Sequence, residues 1–380
     1  MISIHLKHSL NEIDADIWDA LTGERLFISY GWLKIIEETA IDKVTPFYFL
    51  LEDDNVLVAL AVCYQSHKDN PFDLLNGYML GKLEGIAGAF GFSFKPAFLC
   101  GPVGGNGDHV IVKEDLPQQK RNEYFQHLID EIEKEAEKKR LSLFFTNVSE
   151  KESELWIEVQ ARKYNLTVVH PKNHLETKWL SFADYLSDRK TISSKNYQIF
   201  KGHINKSREA GVSIRLLDEL EHEERLYQLL SEHHYRLNKK PFPYTENFIR
   251  SLRKNLGSDA MILVAEKDSE IIGVSMLFRR GSEGWAIIVG VDHNLSRNDF
   301  TYFNLAYYEI IDHAIQAGIK SLNYGGMLYR VKKRRGCTLE ENYIFHRAST
   351  RFLHTLLHPW FFMHKTWYIK RKIPRIVSHL

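Results

Sequence analysis

Three cysteines in 380 residues, Cys63, Cys100 and Cys337, are too few and too far apart to build a disulfide framework. They fit a reducing compartment, and a cytoplasmic location is the expectation. No apolar run approaches the ~20 residues of a membrane-spanning helix. The opening MISIHLKHSLNEIDADIWDAL has no apolar core followed by a cleavage site, so no secretory leader is expected. Low-complexity tracts are absent, which argues against large-scale disorder. Excess charge is absent too: 50 Lys and Arg stand against 49 Asp and Glu, which excludes a general nucleic-acid coat and leaves only local patches. No cysteine or histidine grouping reads as a metal site, and none is expected. What remains is a globular composition, 44% hydrophobic and 26% charged, on a chain long enough for two domains.

The chain repeats itself. LEDDNVLVALAVCY (51–64) overlies AEKDSEIIGVSMLF (265–278), with Glu52 over Glu266 and Asp54 over Asp268. Each is an apolar strand, a polar turn and a second apolar strand, the pattern of a β-hairpin. A second match follows each hairpin. YFQHLIDEIEKEAEKKRLSLFF (124–145) and FNLAYYEIIDHAIQAGIKSLNY (303–324) both read as an amphipathic helix entering a short apolar strand, Gly318 standing where a helix ends. The hairpins are offset by 214 residues and the helices by 179, so the first copy carries 35 extra residues within 65–110. That insertion includes NGYMLGKLEGIAGAFGFSFKPAFLCGPVGGNG, of which CGPVGGNG is expected to be a mobile flap or a simple loop, a phosphate-binding loop being the weaker reading because Asp108 to Gln119 separate it from its helix.

Mixed strands with one helix between the fourth and fifth are the layout of the GNAT acyltransferase fold, and two in tandem account for the repeat. The stretches WLSFADYLSDRK, NYQIFKGHINKSREAGVSIRLL, FNLAYYEIIDHAIQAGIKSLNYGG and YRVKKRRGCTLEENYIFHR, with IWDALTGERLFISYGWLKIIEE near the start, resemble the Fem-like branch of the GNAT superfamily. That branch groups peptidoglycan-bridge aminoacyltransferases with related acetyltransferase-like proteins of cell-wall and natural-product biosynthesis. The resemblance implies an α/β protein with mixed α+β sheets: a GNAT-like domain over 1–175, a second over 176–350, a basic aromatic tail over 351–380, and a central cleft between domains. It also implies N-acyl transfer.

One departure bears on the donor. GNAT enzymes hold acetyl-CoA diphosphate on a glycine-rich loop before the helix that follows the fourth strand. Here that segment, GVDHNLSRNDFTYFNLAYYEII, has no glycine after Gly290, so backbone amides cannot approach a diphosphate closely. No tightly bound cofactor is expected. The donor is expected to be an acyl group on a carrier, an acyl-carrier protein or aminoacyl-tRNA, with acyl-CoA in its usual pose disfavoured.

The candidate site residues lie in four places. NYGGMLYRVKKRRG (323–336) is the densest, and the resemblance matches a lysine and an Arg-Gly pair to Lys332 and Arg335-Gly336. Lys332 and Arg335 are candidates to stabilise an oxyanion, Tyr324 to protonate a leaving group, and Tyr329 and Arg330 to bind donor. A solvated basic loop is the competing reading. His234, beside His233 in SEHHYRLN, and His346, in the final strand ENYIFHR, are base candidates. The helix SSKNYQIFKGHINKSREAG offers Lys195, Lys201, Lys206 and Arg208 to a phosphate-bearing donor. After Glu341 the chain has no acid but seven bases, interleaved with HPWFFMHKTWYIKRKIP. This tail suits a membrane surface, an acidic carrier, an RNA, or packing onto its own domain. The expected reaction is amide formation on a small amino-acid-like or sugar-peptide amine; a non-catalytic recognition protein on the same fold is the alternative.

Overall fold

The computed structural model describes residues 1–40, 44–66, 75–105, 107–219 and 221–373. Thirteen strands lie among them: β1 (Ile2–Lys7), β2 (Val44–Asp53), β3 (Val56–Ser66), β4 (Ala97–Cys100), β5 (Val110–Val112), β6 (Ser142–Val148), β7 (Asn165–Glu176), β8 (Ser213–Leu216), β9 (Ala260–Lys267), β10 (Glu270–Arg280), β11 (Glu283–Val291), β12 (Ser321–Asn323) and β13 (Thr338–Arg347). The chain divides into two compact units. One holds Met1–His170 and the segment from Glu341 onward; the other holds Pro171–Glu340.

Each unit repeats one plan. In the first, β1, β2, β3 and β4 run antiparallel in order and β6 joins β4 in parallel, with β5 added to β3. In the second, β8, β9, β10 and β11 do the same and β12 joins β11 in parallel. The hairpins agree residue for residue. Leu51 pairs Ala59 and Glu52 pairs Leu57, leaving Val58 as a bulge; 214 residues later Ala265 pairs Gly273 and Glu266 pairs Ile271, leaving Ile272 as a bulge. Both turns are two residues at positive φ, Asp54 (50°) with Asn55 (62°) and Asp268 (52°) with Ser269 (66°). This twist matches that of the flanking strands. The 179-residue offset of the second match also holds, for Ser142 and Ser321 open β6 and β12.

Burial follows the helical period. In the helix Gln118–Lys138, Tyr124, Phe125, Leu128, Ile129, Ile132 and Ala136 form one stripe against Phe49, Ala61 and Phe145 of the first sheet. In the second unit the helical run Thr301–Gln316 places Leu305, Tyr308, Ile311 and Ala314 against Leu263, Ile272 and Leu322.

Two expectations are corrected. The segment Glu341–Arg347, assigned above to the second domain, completes the first unit: β13 pairs antiparallel with β6 from Tyr343 to Arg347. Reciprocally, the second half of β7, which follows β6 in the chain, pairs with β12 and closes the second unit. Each unit thus takes its closing strand from the other repeat, so a boundary drawn by order along the chain misassigns both. The tail, set apart at 351, begins as the helix Arg351–Trp367, whose Leu357 and Phe361 pack into a first-unit cluster with Leu75, Met79 and Phe94.

The insertion has secondary structure of its own where it is described. It forms the helices Leu75–Met79 and Glu84–Ala89. Two glycines of CGPVGGNG pack closely, so that stretch is not an open flap: a Cβ on Gly105 would meet Phe27 at 2.4 Å, and one on Gly101 would meet His109 at 2.8 Å. The imidazole of His109 bonds Glu152 Oε2 (2.6 Å) and Thr146 O (2.7 Å). Burial opposes its charge, but the Glu152 carboxylate outweighs burial and holds it near 9. A carboxylate at this loop has the wrong sign for a phosphate cradle. Residues 67–74 and 106, in the insertion, and Arg375, in the tail, lie outside the described residues.

Candidate functional site

In the second unit, β11 and β12 pair only over Glu283–Trp285 and Ser321–Asn323. Beyond that the chain is drawn towards β7. Tyr324 N donates to Asn173 O (2.9 Å), Asn173 N donates to Gly325 O (2.9 Å), and Asn173 Nδ2 bonds Gly325 O (2.8 Å). Gly325, at φ 64°, makes the turn that follows. β11 meanwhile runs on to Val291. Its edge from Ala286 onward meets no strand on that side among the described residues, leaving a row of backbone donors able to receive a carbonyl oxygen.

Two buried cations lie under this turn. YRVKKR, for which a solvated basic loop was the competing reading, is the helix Tyr329–Arg334. The three-residue spacing of Lys332 and Arg335 turns both inward, while Arg330 and Lys333 stay exposed. Lys332 Nζ donates to Tyr324 O (2.7 Å) and Gly326 O (2.7 Å), tying the turn to the helix. Burial pushes its pKa down to about 8, so at neutral pH it still carries its proton.

Arg335 is buried without a carboxylate partner among the described residues; tyrosines and phenylalanines surround it. Its guanidinium carbon lies 4.3 Å from the ring centre of Tyr307, 4.9 Å from Tyr308, 5.1 Å from Phe303 and 5.2 Å from Phe200. Nη2 donates to Tyr308 Oη (2.9 Å) and Nη1 to Val331 O (2.9 Å). Consecutive tyrosines reach one guanidinium from the π-helical turn Asn304–Tyr308, a widening found often at functional sites.

Tyr324 packs 5.3 Å from Tyr307, with its hydroxyl buried and without a hydrogen-bond partner among the described residues. Burial lifts its pKa well above the ordinary 10, so the phenol keeps its proton and has it available as a donor. His203 shares a hydrogen bond with Tyr308 Oη (3.0 Å) and stacks on Phe300 and Phe303. Burial, then the charges of Arg335 and Lys206, pull it down to about 4.

The tyrosines extend this cluster to a histidine pair. Tyr307 lies 6.2 Å from Tyr302, which stacks at 5.8 Å on His233, and His233 Nδ1 shares a 3.0 Å hydrogen bond with His293 Nε2 just past the end of β11. His233 Nε2 is buried without a hydrogen-bond partner among the described residues, and burial followed by the neighbouring His293 lowers its pKa to about 4. A neutral imidazole of this kind has a lone pair with which to accept a proton.

The structure therefore brings together Tyr324, Lys332 and Arg335, and leaves two base candidates elsewhere. His234 faces away from its neighbour His233, its Nδ1 bonded to Asn238 Nδ2 (3.2 Å) on the same helix. His346 belongs to the first unit. It stacks on Phe361 at 4.6 Å, fully buried, and burial pushes it down to about 3, so it is a core residue rather than an accessible base. Lys195, Lys201, Lys206 and Arg208 are exposed along the helix Ser194–Glu209, where Lys206 lies 5.4 Å above Phe300. Tyr329 is half-buried and donates to Pro171 O (3.1 Å). Sequence reasoning missed His203, His293, Tyr307 and Tyr308. The adjacent tyrosines read as ordinary apolar helix positions, and no local pattern joins His203 to partners a hundred residues away.

The start of the helical run at Thr301 is closed by its own chain. Buried Asp299 accepts from Thr301 N (2.9 Å) and Thr301 Oγ1 (2.6 Å), and its other oxygen lies 3.6 Å from Lys267 Nζ. The carboxylate puts a negative charge at the start of this helical run, where the backbone amides would otherwise favour an anion.

A family model described as FemAB-like, peptidoglycan biosynthesis/recognition, matches residues 9–376. No curated protein sequence matches the chain. Among solved structures, FemX superposes with a TM-score of 0.56 at 10% identity, over 93% of this chain and 100% of that one. L-PGS from Bacillus licheniformis superposes at 0.53 and 13% identity, over 86% and 94%. A tandem GNAT protein from the clavulanic acid biosynthesis pathway superposes at 0.51 and 9% identity, over 92% and 99%. At these identities the likeness is one of fold, and the fold is tandem GNAT.

Proposed function

The chain belongs to the FemAB-like family of peptidoglycan biosynthesis/recognition, and from that premise we propose that it transfers an activated acyl or aminoacyl group to the amine of an amino-acid-like or sugar-peptide acceptor. The observation that carries this reading is the open edge of β11 beside the buried group Tyr324, Lys332 and Arg335. The acceptor amine attacks the ester or thioester carbonyl, and the new C–N bond leaves negative charge on the carbonyl oxygen. Backbone amides of the β11 edge are aimed for that oxygen, and the two cations favour the charge from below. The neutral His233–His293 pair accepts the proton the amine loses. The phenol of Tyr324 donates to the departing oxygen or sulfur as the C–O or C–S bond breaks.

The carboxylate of Asp299 and the lack of glycine between Gly290 and the helical run that opens at Thr301 favour a donor held through its carrier, as aminoacyl-tRNA or acyl-carrier thioester, over acyl-CoA seated on this helix. The rival is recognition without turnover. It draws support from Lys332 and Arg335, whose hydrogen bonds run to the chain's own oxygens.

Mass spectrometry separates the two when the protein is mixed with charged tRNA, acyl-carrier thioester or acyl-CoA and a panel of amines including peptidoglycan precursor peptides. The expected result is an amide product from one donor, with kcat falling about 100-fold in folded Tyr324→Phe. Binding without product from any donor establishes the recognition reading instead. Unchanged turnover in Tyr324→Phe removes that residue from the chemistry.

A further inference from the structure

We propose that the first unit carries a docking surface for an anionic lipid bilayer, formed by the outer face of the C-terminal helix with the adjoining insertion. The helix Arg351–Trp367, continued by the π-helical turn Tyr368–Lys372, has two apolar faces. The inner one, Leu357, Phe361 and Tyr368, is buried. Side chains on its flanks fasten it: His364 Nε2 donates to Tyr78 O (3.0 Å) while Nδ1 takes a bond from Thr167 Oγ1 (2.7 Å), and His358 Nδ1 bonds Asn165 Oδ1 (2.8 Å). The helix is therefore held in place with its other face turned outward.

That outer face is apolar where a solvated helix would be polar. Phe352, Leu356, Met363 and Trp367 recur at i, i+4, i+11 and i+15, and they remain 79%, 62%, 57% and 47% exposed. The insertion adds Ile86 and Phe90, 59% and 86% exposed, beside Ala87, which packs against the cluster that also buries Leu357 and Phe361. Contiguous exposed apolar surface of this kind marks a binding face.

Charge selects the occupant. From residue 342 to the end there are seven bases and no acid, and Arg351, Lys370 and Arg371 are exposed. Cations around an aromatic and aliphatic face suit an anionic interface, into which the apolar side chains insert while the cations meet headgroups. A second copy of the chain would bring like charges together. Leu356, Met363 and Ile86 have no ring on which a nucleic-acid base could stack. No helix among the described residues is long and apolar enough to cross a membrane, so this one lies on the surface.

The test is flotation of the full chain with vesicles containing phosphatidylglycerol, against vesicles of phosphatidylcholine alone. The expected result is binding to the anionic vesicles that weakens with salt. It should fall by about tenfold or more in Phe352→Ser/Leu356→Ser/Met363→Ser and, separately, in Lys370→Glu/Arg371→Glu. Both sets lie on exposed positions, and unchanged thermal unfolding shows that the fold is kept. The proposal is overturned by equal flotation with the two lipids, by unchanged binding of both variants, or by no binding at all. It is also overturned if light scattering shows a dimer that the serine variant abolishes, since the face then serves self-association.

Discussion

A guanidinium buried without a carboxylate is expensive unless its surroundings replace water. Arg335 meets most of that demand with four ring faces, the Tyr308 hydroxyl and a main-chain oxygen, its Nε alone having no hydrogen-bond partner among the described residues. A planar fork fits these partners and an ammonium does not. Arg335→Lys should therefore lower unfolding stability by about 1–3 kcal/mol in urea titrations; wild-type stability would show that the rings do not hold it. His346 sets a pH dependence of its own. The unfolded chain protonates this imidazole near its ordinary 6.5, whereas burial delays uptake in the folded state to about 3. Above 6.5 neither state binds the proton and nothing is lost. As pH falls from 6.5 towards 3 the unfolded state binds more protons, so stability declines through that window. In His346→Gln the urea midpoint should fall less steeply between those pH values than in the wild type. An identical slope in both proteins would assign the acid sensitivity elsewhere, with His203 and His233, each near 4, as the next groups to replace.

Among the elements, the hairpins were the most legible, because apolar alternation and a two-residue polar turn are local signals. The overlay of residues 51–64 on 265–278 reaches even the bulges at Val58 and Ile272. The segment 329–334 carries no helix signal because six residues dense in charge hold too short a periodicity to register; burial of Lys332 and Arg335 supplies what the pattern lacks. Gly290 shows a third case. In the sequence it marked only the last glycine before a missing cradle. In the fold it lets the helix Glu223–Asn238 lie against β11, since a Cβ there would come within 2.6 Å of the Leu229 carbonyl. Backbone cannot move aside as a side chain can. Gly290→Ala should cost about 3 kcal/mol or more and shift His233, which this helix carries, away from His293. The measurements are the urea midpoint and the imidazole resonances of the pair; a variant with native stability would show that the helix can retreat at no cost.

For the whole molecule, the exchange of closing strands has the clearest consequence. β6 finds its antiparallel neighbour in β13, and β12 finds its own in the second half of β7. A chain cut after residue 176 leaves β6 with an open edge in one fragment and β12 with an open edge in the other. Neither fragment should unfold cooperatively alone, and both should be recovered folded when coexpressed; a cooperative thermal transition in either isolated fragment would contradict this. The amino-acid sequence by itself determined the repeat, the strand–turn–strand and helix–strand units, the mixed α/β class and the location of a dense cationic segment, since all of these follow from periodicity and turn chemistry between near neighbours in the chain. Tertiary structure alone decided which repeat closes which sheet, which histidines meet, and that Arg335 is met by rings rather than carboxylates. Those outcomes depend on contacts between residues separated by scores of positions, and such contacts are chosen by packing and by the need to satisfy most buried polar groups, of which a linear pattern holds no trace.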